Sequence, residues 1–213
     1  MTNNYHQPLD TGAAASSFNL NVPLQQLDEA IGDYVTDKNA FIVVPLTILT
    51  VDTTTITMSG ITDIYSRLIF NASFRCDDAG VGNFLIEITF NGDTGGNYSY
   101  AGMLYLKLAG VFNTQFLSAD PSNLIPLSTG TTGNGQAADI RSFVTVEIVN
   151  YRDTNNFKLV HYRIACPYNS NEVQILTGGA LWKNTAAITS ITIEVNGARD
   201  HKAGSSYSLG GVK

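Results

Sequence analysis

Charge is scarce in this sequence. Lys plus Arg number 12 and Asp plus Glu 18 among 213 residues, so 14% are charged, against roughly 25% in an average soluble domain. The hydrophobic fraction is 44%, which excludes intrinsic disorder, because disorder needs low hydrophobicity and high charge. Basic residues are the thinnest: six Lys and six Arg, no two adjacent, leave a formal net charge of -6. A nucleic-acid-binding surface needs a basic patch, so no nucleic-acid partner is expected.

Cysteine is nearly absent. Cys76 and Cys166 lie 90 residues apart at the ends of strand-like text. They read as two reduced buried thiols, with a single bridge as the alternative, and a chain of this size does not need one. Long hydrophobic runs are missing too. The longest uncharged, largely apolar stretch, Asn39 to Val51, has 13 residues and contains Pro45. That is too short to span a bilayer as a helix, and no membrane partner is expected. The opening MTNNYHQPLD lacks a basic and then apolar leader, so no signal peptide is expected and the sequons at Asn71 and Asn97 carry no meaning.

Neutral polar residues stand in for the missing charge: 22 Thr, 19 Asn and 19 Gly. That mixture favours strands and turns. The chain divides near residue 40. Residues 1–19 show no sustained period and read as an extended arm, whose apolar side chains Tyr5, Leu9, Phe18 and Leu20 are the candidates for anchoring it. Residues 21–35 read as a short helix, with Asn21 as N-cap and Pro23 in the first turn. Leu24, Leu27, Ile31 and Tyr34 fall on one stripe of it. So short a helix is not stable alone. Its stripe must bury against the rest of the chain or against copies of itself around an axis. The first 40 residues hold five acids and one Lys, most of the net acidity.

Residues 41–213 read as strands and turns. Val144, Val146 and Ile148 alternate with Thr145 and Glu147; Val160, Tyr162 and Ile164 with His161 and Arg163; Ile191, Ile193 and Val195 with Thr192 and Glu194. Period-two alternation means one buried and one wet face. YLKLAGVF reads as one further strand, and residues 128–138 as a long surface loop. Eight or nine strands separated by Gly- and Asn-rich turns predict an all-β fold, an antiparallel jelly-roll-like β-sandwich with an N-terminal extended arm and short helix.

Motifs for chemistry are sparse. His6, His161 and His201 are not spaced as metal ligands, and neither HExxH, CxxC nor GxSxG occurs. His161 reads as a solvated residue and His201 as a turn residue. Asp77, Asp78 and Asp93 read as solvated turn acids, with a calcium site as the alternative. A glycosidase carboxylate pair stays open, because its members need not be near in sequence. Asn91-Gly92 predicts a tight turn with positive φ. Tyr98 and Tyr100 beyond it, and the single Trp182, read either as packing residues or as an aromatic contact for a surface ligand. No cofactor is expected.

Two segments, FNGDTGGNYSY at 90–100 and GGALWKNTAAITSITIEVNGARDHKAGSSYSLGG at 178–211, resemble the globular knob of tailed-bacteriophage virion proteins of the tail-fibre and head-decoration type. Trp182, Thr185, Ile188 to Ile191, Gly204, Ser205, Tyr207 and Leu209 match. Leu209-Gly210-Gly211 departs from it, where such knobs commonly place an aromatic before the glycine. The arm is similar to segments that precede these knobs. The resemblance implies a virion location and a homotrimer, which would bury the stripe of Leu24, Leu27, Ile31 and Tyr34 on a threefold axis. It implies a non-enzymatic capsid decoration, cement or short head-fibre protein bound to the major capsid protein. The alternative is a knob on a tail protein that contacts host surface polysaccharide through Tyr98, Tyr100 and Trp182. An enzyme acting on that polysaccharide is a third possibility.

Overall fold

Alternation carries directly into strands. In β3 (Arg67–Phe74), Leu68, Phe70, Ala72 and Phe74 all point inward and are buried. In β8 (Ser142–Val149), Val144, Val146 and Ile148 do the same, as do Val160, Tyr162 and Ile164 in β9 (Lys158–Asn169). The computed structural model describes residues 43–77, 85–108, 111–127, 140–169, 172–197 and 199–212. The arm with Tyr5, Leu9, Phe18 and Leu20, the helix with Leu24, Leu27, Ile31 and Tyr34, and the 128–138 loop lie outside the described residues.

Among the described residues the secondary structure is all β, in two antiparallel sheets. The remaining strands are β1 (Val44–Ile48), β2 (Thr55–Ser59), β4 (Ile86–Phe90), β5 (Tyr98–Leu108), β6 (Val111–Ser122), β7 (Ile125–Pro126), β10 (Glu172–Trp182), β11 (Ser190–Val195) and β12 (Ser206–Val212). The larger sheet has the order β1-β12-β3-β8-β9-β10-β5-β6, the smaller β2-β11-β4-β7. One continuous core joins inward residues of both, including Phe70, Val146 and Tyr162 from the first and Met58, Ile88 and Ile193 from the second. Each fully buried aliphatic or aromatic side chain there contributes about 1.5–3 kcal/mol.

Three elements differ from the sequence reading. YLKLAGVF is not one strand: it crosses from β5 to β6, which pair antiparallel with Leu108 opposite Val111. β6 itself shows no alternation, because it is an edge strand exposed on both faces. The described part of the apolar run at Phe41 to Val51 yields β1, the opposite edge of the same sheet, where Leu46 and Ile48 face solvent. An edge is where a strand tolerates Pro45, which has no N–H to donate.

β10 carries Gly178 and Gly179 at its centre, flanked by β9 and β5. Gly178 is required by packing: a Cβ there would sit 2.5 Å from Tyr162 Oη and 2.6 Å from the Ala101 carbonyl oxygen. The Tyr162 ring therefore occupies the space that a side chain at 178 would fill. Burial, with a smaller push from neighbouring Tyr100, raises the Tyr162 phenol to about 12.

Candidate functional site

The segments that carry the family resemblance converge on one buried cluster. β4 ends at Phe90, and Asn91 and Gly92 both take positive φ, 53° and 67°, as the Asn-Gly pair predicts. The turn closes through the Asp93 N–H on the Phe90 carbonyl at 2.9 Å. This aims the Asp93 carboxylate back over the loop. One oxygen accepts the Gly95 N–H at 3.0 Å. Asn97 Nδ2 donates to both oxygens, at 3.1 and 3.0 Å. The second oxygen also accepts the Trp182 indole N–H at 2.7 Å. Burial pushes this carboxyl up, but hydrogen bonds from Trp182, Gly95, Asn97 and Asn184 together hold it below the usual carboxylate range.

The aromatic part packs beneath. Trp182, Tyr98 and Phe90 are all fully buried. The ring centroids of Phe90 and Trp182 lie 5.6 Å apart, those of Tyr98 and Trp182 6.4 Å in a stacked arrangement. The Tyr98 hydroxyl donates to the Asp93 carbonyl at 3.0 Å and accepts the Phe90 N–H at 2.9 Å. Burial pushes this phenol far up.

Two further side chains close the cluster. Asn91 Oδ1 accepts the Thr189 and Ser190 N–H groups at 2.8 and 3.1 Å, while its Nδ2 donates to the Ala187 carbonyl at 2.8 Å. Lys158, a fully buried lysine, points its ammonium at the carbonyls of Asp153, Asn156 (2.7 Å) and Thr185 (3.1 Å), with Asn184 at 3.5 Å. Desolvation lowers its pKa, and the charge of Asp153 partly restores it. Four backbone acceptors thus surround an amine in the manner of carbonyls around a small cation.

This arrangement corrects one expectation. Tyr98 and Trp182 offer no face to a surface ligand, because the sandwich encloses both. Tyr100 is half-buried and lines a shallow depression of about 360 Å³ with Ser99, Ala101, Ser118, Gly179 and Leu181. The cluster has paired donors and acceptors and ties β4, β5, β9, β10 and β11 together.

The other candidates are dispersed. Asp77 accepts the Asp200 N–H at 3.2 Å, Asp93 is committed to Trp182, and Asp78 lies outside the described residues. Among the described residues no group of three His, Cys, Asp or Glu is placed to hold a metal. Cys76 and Cys166 are separate buried thiols. His161 is exposed, as read, but His201 is no turn residue: it is fully buried against Phe74, ring centroids 4.7 Å apart. Glu87 and Glu194 face each other across β4 and β11, a juxtaposition that sequence distance conceals. A second depression, about 280 Å³, lies on the outer face of the larger sheet between Phe143, Thr145, Glu147, His161, Arg163 and Thr177.

No protein-family model, curated protein or solved structure matches this chain.

Proposed function

We propose that this chain is a non-enzymatic structural protein of a tailed-bacteriophage virion: a trimeric jelly-roll knob that decorates the capsid surface and is anchored by its N-terminal arm. The observation that carries the reading is the strand order. Setting aside the hairpins β5–β6 and β9–β10 leaves eight strands, in the sheets β1-β12-β3-β8 and β2-β11-β4-β7. That order is what two nested Greek keys produce, an architecture found in viral capsid and lectin domains. Fold alone does not assign function. The virion assignment rests on the resemblance of residues 90–100 and 178–211. The structural use of those residues supports it, since Asp93, Trp182 and Asn91 hold loops in place.

The alternative puts the same knob on the tail, in contact with host surface polysaccharide. The observation that favours it is the outer-face depression at Phe143, Glu147, His161 and Arg163, where an aromatic ring, side chains of both charges and neighbouring threonines suit the ring face and hydroxyls of a sugar.

The test is antibody labelling of intact particles, with mass spectrometry of purified virions. Label over the head supports decoration, and label at the tail tip supports the alternative. Absence of the chain from particles would defeat both. Release of reducing ends from host polysaccharide would replace them with an enzyme. Deletion of residues 1–20 is expected to abolish particle binding.

A further inference from the structure

β6 is a long strand paired on one side only among the described strands. It runs for 12 residues, Val111–Ser122, at the end of the larger sheet. β5 pairs with it along one side. Among the described strands none lies on the other, which leaves a row of N–H and C=O groups open over roughly 40 Å. Soluble proteins blunt such edges with charges, bulges or a covering element. From Val111 to Ala119, VFNTQFLSA, β6 carries no charge.

The face beside this edge is apolar as well. Register places Phe143, Ala165, Ile175, Tyr105 and Thr114 in one row across β8, β9, β10, β5 and β6. Flanking rows bring Val173 beside Lys107 and Phe112, and Met103 beside Phe116. Phe112 is 80% and Phe116 79% exposed, and Phe143, Tyr105, Ile175 and Val173 are also exposed. With 150–250 Å² per aromatic side chain, these six expose on the order of 600 Å², the upper end of the largest patch on an ordinary monomer. A standard interface takes about 800 Å² from each partner, and the open backbone edge supplies the remainder.

We propose that β6 and the apolar outer face beside it form a self-association surface, covered by a second copy of this chain. Two observations select a second copy. The backbone row must be met by another strand edge, and β6 of a second copy supplies one of equal length, antiparallel about a twofold axis, whereas β1 at the far end of the sheet has five residues and carries Pro45. Charge in the patch is sparse. Lys107, 5.9 Å above the Phe112 ring, and Arg163, in the cross-strand row of Met103 and Phe116, are the cations among the residues of these rows, and they lie on different strands, so apposed copies need not bring them together. This surface does not depend on the virion reading and uses none of the N-terminal residues proposed for the trimer axis.

The experiment uses the full chain. Light scattering over a range of concentrations gives the mass, and hydrogen exchange gives the protection of β6 amides. The expected result is a multiple of 22.9 kDa, with β6 amides protected at least tenfold more at high concentration than on dilution. Replacing both Phe112 and Phe116 by Lys should abolish that protection while β3 and β8 amides stay protected, which shows that the fold survives. A control at exposed Ile64, Ile64→Lys, should change nothing. A wild-type chain that is monomeric throughout overturns the proposal and leaves the face to a different partner. A multimer whose β6 amides exchange like an open edge overturns it too, since the N-terminal residues would then hold the copies together.

Discussion

The Trp182 indole N–H donates to the Asp93 carboxylate at 2.7 Å across 89 residues of sequence. This bond joins the end of β10 to the loop between β4 and β5, and it satisfies the polar atom of a fully buried tryptophan. A tryptophan so buried needs a partner for its N–H. Asp93→Ala removes that partner and frees the Gly95 and Asn97 donors as well. The variant is expected to lose about 2–3 kcal/mol of stability, the range for losing a charged acceptor while its donor stays buried. Denaturant unfolding followed by Trp182 fluorescence measures it. A loss below about 0.5 kcal/mol would mean that the carboxylate holds nothing.

Lys158 is the second support for these loops. Lys158→Met keeps most of the apolar stem and removes the ammonium. The carbonyls of Asp153, Asn156 and Thr185 then lose their donor. Each buried unsatisfied acceptor costs about 1–3 kcal/mol, and water entering the loop recovers part of it, so a net loss of about 3 kcal/mol is expected. Thermal unfolding checks the size. Hydrogen exchange checks the place, because loop residues 150–157 and 183–189 should lose protection before β3 does.

Much of the architecture was legible from alternation alone. β3, β8, β9 and β11 bury one face, and their apolar residues say so at every second position. What was hidden had physical reasons. β6 is wet on both faces, so no period marks it. β10 is interrupted by Gly178 and Gly179, and at Gly178 the Tyr162 ring takes the space of a side chain. Asp93 read as a solvated turn acid because nothing in FNGDTGG reveals a tryptophan 89 positions later. The sequence left Tyr98 and Trp182 open between packing and ligand contact, and in the fold both are fully buried packing residues.

Gly178→Ala tests the packing argument at β10. The added methyl would meet both a flexible target, Tyr162 Oη, and a rigid one, the Ala101 carbonyl. Overpacking of this kind costs about 1–3 kcal/mol. Combining it with Tyr162→Phe removes the hydroxyl but not the ring carbon or the carbonyl, so only partial rescue is expected. Full rescue would show that the carbonyl contact is easily relieved.

His201 makes the fold sensitive to acid. Burial lowers its pKa from 6.5 to about 4, slightly opposed by the Ile193 carbonyl, and neither ring nitrogen has a partner at hydrogen-bonding geometry. The unfolded chain therefore binds this proton first. The contribution of neutral His201 is complete above pH 6.5, falls as pH drops towards 4, and then levels off. Across that window the shift corresponds to roughly 3 kcal/mol. The lowered pKa of Asp93 acts in a separate window, because its contribution is lost only as pH falls further, through that lowered value. Stability measured at half-unit steps from pH 7.5 to 4 should slope in the wild type, and His201→Leu should flatten most of the slope. An equal slope in both proteins would place the acid sensitivity elsewhere.

Glu87 and Glu194 make the opposite electrostatic case. They are direct cross-strand partners on β4 and β11. Burial raises the Glu87 carboxyl, a hydrogen bond from Asn196 at 2.6 Å counters it, and the facing Glu194 raises it again. A carboxyl with a raised folded pKa weakens the fold when ionised, and acid relieves the penalty. Glu194→Lys turns the repulsion into attraction, at the expense of a hydrogen bond from Thr55. Cross-strand charge pairs are worth about 0.2–1 kcal/mol, so a gain near 0.5 kcal/mol is expected at pH 7 and low salt. The gain should shrink in high salt, as screening requires, and vanish once acid protonates Glu87. A gain that survives at acidic pH would point to strand propensity and not to charge.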